Sequence, residues 1–174
     1  APDDINSVAP VTARVDAALR RPTMANHPAT HLLNWALREV LDPSGQHLQQ
    51  KGSLVDAQRT RFDFSHGRGL SVDEIRRIQA LVCDRIRDDL PVETNGDEPV
   101  DRDAALNGLR AVFGEKYPDQ VRVVSIGVAV ANLLASPERP DWREYSIEFC
   151  GGTHVKRTSA TLGFFPTSEE AGGK

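Results

Sequence analysis

Two short runs of this chain each place a pair of metal-ligand side chains four residues apart. They are His27-Pro28-Ala29-Thr30-His31 near one end and Cys150-Gly151-Gly152-Thr153-His154 near the other. A helix rises about 1.5 Å per residue with about 3.6 residues per turn, so residues i and i+4 sit one turn apart on one face, close enough to share an ion. His27 and His31 meet that condition if Pro28 opens a helix, since the first helical position is where proline is best tolerated. Gly151 and Gly152 suit a tight turn flanked by Cys150 and His154. Three imidazoles and one thiolate favour zinc over calcium or magnesium. Each run alone is ambiguous, because a His-x-x-x-His pair is more often incidental on a helix. Together they point to a zinc site held by His27, His31, Cys150 and His154. Zinc can activate a water or hold a substrate for hydrolysis. Four protein ligands also fill a tetrahedral shell, the usual structural arrangement. Both uses stay open, and a catalytic one calls for a weakly held ligand, His154 or His27, or for a shell that expands to five.

The elements that must position these residues follow from periodicity and punctuation. The first expected helix runs from Pro28 to Leu41 and stops at Asp42-Pro43-Ser44-Gly45. Before it, Val11 to Val15 reads as a short strand and the rest of 1–25 as a linker. Two strands are expected at 46–55 and 60–65, the second alternating polar and aromatic residues. Ser71-Val72-Asp73-Glu74 is a capping box for a helix that runs to about Leu90, with Val72, Ile75, Ile78, Leu81, Val82 and Ile86 as its apolar stripe. A weak strand at 91–95 and a helix capped by Asp101 and running to about Phe113 come next. A strand buried on both faces follows at Val121 to Val128. Residues 129–143 read as an insertion loop. Tyr145 to Phe149 is a strand that delivers Cys150, and Leu162 to Phe165 a last strand. The sum is an α+β domain, an antiparallel sheet with packed helices, with the zinc site between the first helix and a C-terminal strand-turn.

The chain has 174 residues, enough for one well-buried core or two small lobes, and its net charge is −4. That charge lacks the basic footprint usual for nucleic-acid binding. Arg20-Arg21, Arg76-Arg77 and Lys156-Arg157 are local basic pairs, most simply solvated faces. Lys156-Arg157 is the best candidate for a phosphate contact, because it lies just past the second metal run. No stretch reaches the roughly 18 apolar residues of a membrane span, and no signal segment opens the chain. The abrupt ends read as a fragment of a longer protein. Cys83 is expected in the core, and reduced cysteines suit a thiolate ligand better than a disulfide.

Four blocks carry a family resemblance. Asn26-His27-Pro28-Ala29-Thr30-His31-Leu32-Leu33-Asn34-Trp35 resembles the first zinc motif of the alanyl-tRNA synthetase editing domain, the second additional domain of that family. Gln50-Lys51-Gly52-Ser53-Leu54-Val55 with Arg61-Phe62-Asp63-Phe64-Ser65-His66 resembles the next block. Gly108-Leu109-Arg110-Ala111-Val112-Phe113-Gly114 with Val121-Arg122-Val123-Val124-Ser125-Ile126-Gly127 resembles the third. Glu148-Phe149-Cys150-Gly151-Gly152-Thr153-His154 resembles the fourth. They keep the family's order over about residues 24–168. Free-standing alanyl-tRNA editing proteins and the threonyl-tRNA synthetase editing domain are related. The 129–143 loop and the third block look like the eukaryotic type.

The resemblance implies an ester hydrolase with zinc as cofactor, cytoplasmic or mitochondrial. It implies residues 26–174 as the editing domain, behind the remnant of a β-rich lobe in 1–25. The implied partner is tRNA(Ala) mischarged with serine or glycine. A pocket for a methyl side chain discriminates poorly, since one methyl group is worth only about 1–3 kcal/mol, and a second hydrolytic site restores accuracy. Gln50 matches the family's pocket glutamine, and its amide is suited to the serine hydroxyl or the attacking water. Thr30, between the two histidines, either faces the metal or back-bonds into the helix. His66 suits a structural or tRNA-facing role and His47 the surface. Asp63 either pairs with an arginine or acts as a base. A free-standing deacylase, or a non-catalytic tRNA-binding module with structural zinc, are the alternatives.

Overall fold

The structure, a computed structural model, describes residues 11–44, 47–96, 100–101, 103, 105–112 and 115–172. Its first helix, α1 (Ala17–Leu41), is opened by Asp16, whose Oδ1 accepts from the backbone N–H of Ala18 and Leu19 at 2.8 and 3.4 Å. The helix therefore starts eleven residues before Pro28, and Pro22 and Pro28 lie inside it. The strand expected at Val11 to Val15 is not formed, and the linker expected up to residue 25 is helix from Ala17 onward.

An interior proline lacks its N–H and crowds the carbonyl four residues back, at about 3 kcal/mol. Packing offsets that here, as most helix stability in proteins comes from tertiary contacts. Pro28, Ala29, Thr30, His31, Leu32, Asn34, Trp35, Ala36 and Leu37 are all buried. Asn26 Nδ2 donates to the Asp56 carbonyl at 2.8 Å, and Thr161 Oγ1 donates to the Ala25 carbonyl at 3.1 Å, just before Pro28.

A hairpin, β1 (Gln50–Val55) and β2 (Thr60–Phe64), lies against α1, with a bulge between Gln50 and Gly52. Helix α2 (Val72–Arg87) carries the expected capping box and buries Ile78, Val82 and Ile86. Val72, assigned to the same stripe, is exposed. The helix ends at Arg87, short of Leu90, and Asp89 takes φ 50°.

Six further strands follow: β3 (Val92–Thr94), β4 (Val100–Asp101), β5 (Leu109–Arg110), β6 (Gln120–Val121), β7 (Val123–Ile126) and β8 (Ser146–Phe149). The main sheet has the order β3-β7-β8-β5, antiparallel except for the parallel β5–β8 pair, while β4 and β6 pair separately. All four residues of β7 are buried, as expected of a strand covered on both faces. One core joins α1, α2, Val124 and Ile126; the other gathers Val123, Leu133, Trp142 and Ile147.

Three expected elements differ. No helix forms among the described residues of 101–112: Asp101 lies in β4, and Gly108, at φ 78°, turns the chain into β5. A β-carbon on Gly108 would meet the Trp142 carbonyl oxygen at 2.6 Å, so the turn admits only glycine. Phe113 and Gly114 lie outside the described residues. The 129–143 segment is not a bare loop. It holds α3 (Val130–Ala135) and the start of a 3-10 turn (Pro140–Glu144) that buries Trp142. Leu162 to Phe165 forms no strand. Leu162, at φ 68°, ends a second 3-10 turn (Thr158–Thr161), and Phe164 packs against the first core.

Candidate metal centre

The i, i+4 geometry of α1 stacks the His27 and His31 rings with centroids 5.0 Å apart. Strand β8 runs antiparallel to β7 and delivers Cys150 at its end, and the Gly151-Gly152 turn returns His154 to the same point. His31 Nε2 lies 3.0 Å from His154 Nε2, and Cys150 Sγ lies 3.4 Å from His27 Nε2 and 3.6 Å from His154 Nε2. The four donor atoms all fall within 4.8 Å of one another. Zinc binds nitrogen at about 2.0–2.1 Å and sulfur at about 2.3 Å, which sets tetrahedral donor pairs roughly 3.3–3.7 Å apart. The residues present therefore fit one such ion, and a soft thiolate with three imidazoles suits zinc best.

The turn is fixed from behind by Arg122. Its Nε donates to the Cys150 carbonyl at 2.8 Å and its terminal nitrogen to the Gly152 carbonyl. Its own carbonyl accepts from the Cys150 N–H at 3.0 Å. The strand expected from Val121 breaks at Arg122 into β6, which pairs with β4, and β7, which pairs with β3 and β8. The Gly152 N–H then points at Cys150 Sγ, 3.4 Å away.

A second set of residues holds His31. Its Nδ1 lies 2.6 Å from Glu148 Oε2, Asn34 Nδ2 donates to Glu148 Oε1 at 2.7 Å, and Arg38 donates to Asn34 Oδ1 at 3.0 Å. Ser146 Oγ donates to the His31 carbonyl at 3.3 Å. The sequence reading missed Glu148, Asn34, Arg38, Ser146 and Arg122 as site residues. A signal for the first two existed. Glu148 precedes Cys150 by two, so both face one side of a strand, and Asn34 follows His31 by three, on one side of a helix.

Electrostatics favour a thiolate in this cluster. Burial pushes the Cys150 thiol up, but hydrogen bonds with His154, His27 and His31 outweigh it and bring it down to about 3. Burial likewise pushes His31 down, and the Glu148 carboxylate beside it overrides this and raises it to about 10. Burial lowers His154, against the opposing pull of Cys150.

The other candidates fall in different places. Thr30 is buried and its Oγ1 donates back to the Asn26 carbonyl at 3.3 Å. Gln50 is half-buried at the start of β1, opposite Phe64. Lys156 is exposed, and its carbonyl accepts from the Val92 N–H at 2.9 Å. Arg157 is engaged, since its Nε lies 2.6 Å from Asp89 Oδ2. Asp63 pairs with Arg61 at 3.1 Å, and His66 and His47 are exposed. Cys83 is half-buried, with its Sγ 3.5 Å from the Phe164 carbonyl, and neither cysteine forms a disulfide. Among the described residues no helix is long and apolar enough to cross a membrane.

Comparison with known proteins agrees with this geometry. Residues 121–170 match the threonyl and alanyl tRNA synthetase second additional domain. The cytoplasmic alanine–tRNA ligase of Dictyostelium discoideum is 48% identical over 163 residues, 94% of this chain and 17% of the relative. The mitochondrial alanine–tRNA ligase of Saccharomyces cerevisiae is 44% identical over 93% of this chain and 16% of its own length. The alanine–tRNA ligase of Pseudomonas fluorescens is 45% identical over 94% of this chain and 16% of its own. Eukaryotic and bacterial relatives thus both match, and the chain spans about a sixth of their length. The ligase matches, which span nearly the whole chain and both halves of the His-Cys-His cluster, and the domain match are consistent with a second additional, editing-type domain of an alanyl-tRNA synthetase.

Proposed function

We propose that the chain is a zinc-dependent deacylase, the editing unit of an alanine–tRNA ligase, which hydrolyses the ester joining serine or glycine to the terminal ribose of tRNA(Ala). The observation that carries this reading is the convergence of His27, His31, Cys150 and His154 in a chain that matches this family. Zinc in such a donor set supplies Lewis acidity at the reacting ester. The residues of the chain do the rest. Cys150 as thiolate and the imidazoles of His27, His31 and His154 would form the seat, and Glu148 holds the His31 ring through Nδ1. The Gln50 amide is suited to donate to the serine hydroxyl or to hold the attacking water. A site that hydrogen-bonds a hydroxyl refuses the analogue lacking it, because its polar groups are left unpaired, and correctly made alanine ester is spared on that ground; glycine lacks the hydroxyl too, so its hydrolysis does not follow from this contact. Lys156, with Arg157 beside it, is suited to a phosphate of the acceptor end. The relatives named cytoplasmic and mitochondrial support either compartment for the parent protein.

One observation favours a second reading, a structural zinc in a tRNA-binding module. Four protein donors fill a tetrahedral shell, and Thr30 spends its hydroxyl on the helix rather than on a substrate. Deacylation of serine-charged and alanine-charged tRNA(Ala) by the zinc-loaded chain, with a chelator control, separates the two. Chelator-sensitive loss of serine with alanine spared supports the deacylase. If Gln50→Ala then abolishes hydrolysis or selectivity with zinc retained, the pocket role of Gln50 stands. Folded, zinc-loaded protein without hydrolysis supports the structural module, in which only His31→Ala has an effect.

A further inference from the structure

We infer that the four ligands divide into two fixed and two exchangeable ones. Glu148, itself held by Asn34 and Arg38, is the positioning residue that makes His31 a permanent ligand with Cys150, while His27 and His154 are free to leave and return. The inference rests on the metal-centre reading and deepens it, naming which donors open a coordination position.

All three histidines present Nε2 to the centre. A ligating imidazole then carries its proton on Nδ1, and that N–H needs an acceptor to fix the ring and the tautomer. His31 has one at 2.6 Å in Glu148 Oε2. The acceptor cannot swing away, because Asn34 Nδ2 holds its other oxygen at 2.7 Å and Arg38 holds Asn34 at 3.0 Å. His31, Asn34 and Glu148 are 5%, 1% and 8% exposed, so no solvent competes for these bonds. Cys150 is equally fixed, by Arg122 on its carbonyl and by the Gly152 N–H on its sulfur.

Neither His27 nor His154 has a Nδ1 acceptor among the described residues. Both are only partly buried. They rest on each other, with ring centroids 4.3 Å apart, and His27 leans on Gly152. Ring contacts of this kind set position but not tautomer. A shell that is complete at rest can thus open by losing an imidazole, without disturbing the helix that carries His31 or the turn that carries Cys150.

The test is zinc affinity, measured by competition with a chromophoric chelator, together with the visible spectrum of the cobalt(II)-substituted chain. Glu148→Ala is expected to weaken zinc 10- to 100-fold, the range for loss of such a partner, and Glu148→Gln, which keeps an acceptor oxygen, to recover part of it. His27→Ala and His154→Ala are expected to keep cobalt(II) and to change its spectrum when free imidazole is added. His31→Ala is expected to lose at least tenfold more affinity than either, with no imidazole rescue. Far-UV circular dichroism identifies variants that fail to fold, and Glu148→Gln carries the test if Glu148→Ala is one. Unchanged zinc affinity in folded Glu148 variants, or a His31→Ala chain that holds metal as well as His27→Ala, overturns the division. Failure of the unmodified chain to bind one zinc overturns the metal reading itself, and the division with it.

Discussion

Gly152 lies so close to His27 that a β-carbon added there would sit 1.9 Å from His27 Cε1 and 2.5 Å from Nδ1. The backbone of the turn cannot yield, because Arg122 grips the carbonyls of Cys150 and Gly152 on the opposite side. His27 must move instead, away from the sulfur it meets at 3.4 Å. Gly152→Ala is therefore expected to lower zinc affinity by roughly tenfold or more, the order of effect when a ligand loses its support, while helix content is unchanged. Chelator competition and circular dichroism on one sample check both halves of that expectation. Equal affinity in the variant would mean that the ring is not a ligand in its observed position.

The centre joins the middle of α1 to the end of β8, and these anchor different parts of the chain. Metal that binds the folded state alone stabilises it by about 2.7 kcal/mol at a free concentration 100 times Kd. Removing zinc with a chelator is expected to lower the melting temperature by several degrees, and re-addition to restore it. Cys150→Ser is expected to start from the lowered value and to gain little from zinc. Cys83→Ser, whose sulfur meets the Phe164 carbonyl at 3.5 Å and lies outside the cluster, should behave as the unmodified chain does. A melting temperature indifferent to zinc would separate the cluster from the fold.

The four residues that cluster were legible in the sequence, and so was the element type around each pair, because i+4 spacing and a Gly-Gly turn are local signals. The start of α1 was not. Pro28 is a good local reason to begin a helix, but Asp16 is a local cap twelve residues earlier, and the burial of Pro28 to Leu32 and of Asn34 to Leu37, which is not local, keeps Pro28 inside the helix. The network behind His31 was hidden for a related reason. Glu148 reads as an alternating strand residue until β8 is laid beside α1, 114 positions away from Asn34 in sequence. The short β5 was invisible too, since two residues carry no periodicity and Gly108 takes its meaning from the Trp142 carbonyl it meets.

Acid sensitivity is expected at the start of α2. Two hydrogen bonds from Arg68, at 2.6 and 2.8 Å, and donors from Ser71 hold the Glu74 carboxyl well below its ordinary value of 4.5. A depressed folded-state pKa means that folding favours the ionised form. The contribution is thus fully present above about pH 4.5 and is lost as pH falls below it. The stability difference between the unmodified chain and Glu74→Gln, from urea unfolding, should be constant from pH 5.5 to 7 and shrink towards pH 3. Half a molar salt should reduce it as well, because the Arg68 side chain is 58% exposed. A difference that does not change with pH would assign the effect to shape rather than charge.

Lys156 and Arg157 are adjacent and equally basic, yet they should respond differently to substitution. Arg157 spans from the post-metal turn to the end of α2. Its Nε pairs with Asp89 Oδ2 at 2.6 Å, and a terminal nitrogen donates to the Asp89 carbonyl, at a residue with φ 50°. Its backbone also bridges to Pro91. Arg157→Ala is expected to lower the melting temperature, because it removes both contacts that Arg157 makes to Asp89 at that strained position. Among the described residues Lys156 holds the structure through its backbone, which alanine keeps. Lys156→Ala should therefore leave the melting temperature unchanged. If its ammonium meets a phosphate, the variant should weaken tRNA binding and reduce the slope of log affinity against log salt by about one. Fluorescence anisotropy of labelled acceptor-stem RNA at several salt concentrations reads that slope. An unchanged slope in Lys156→Ala would mean that the pair is a solvated face, and that the phosphates are met elsewhere.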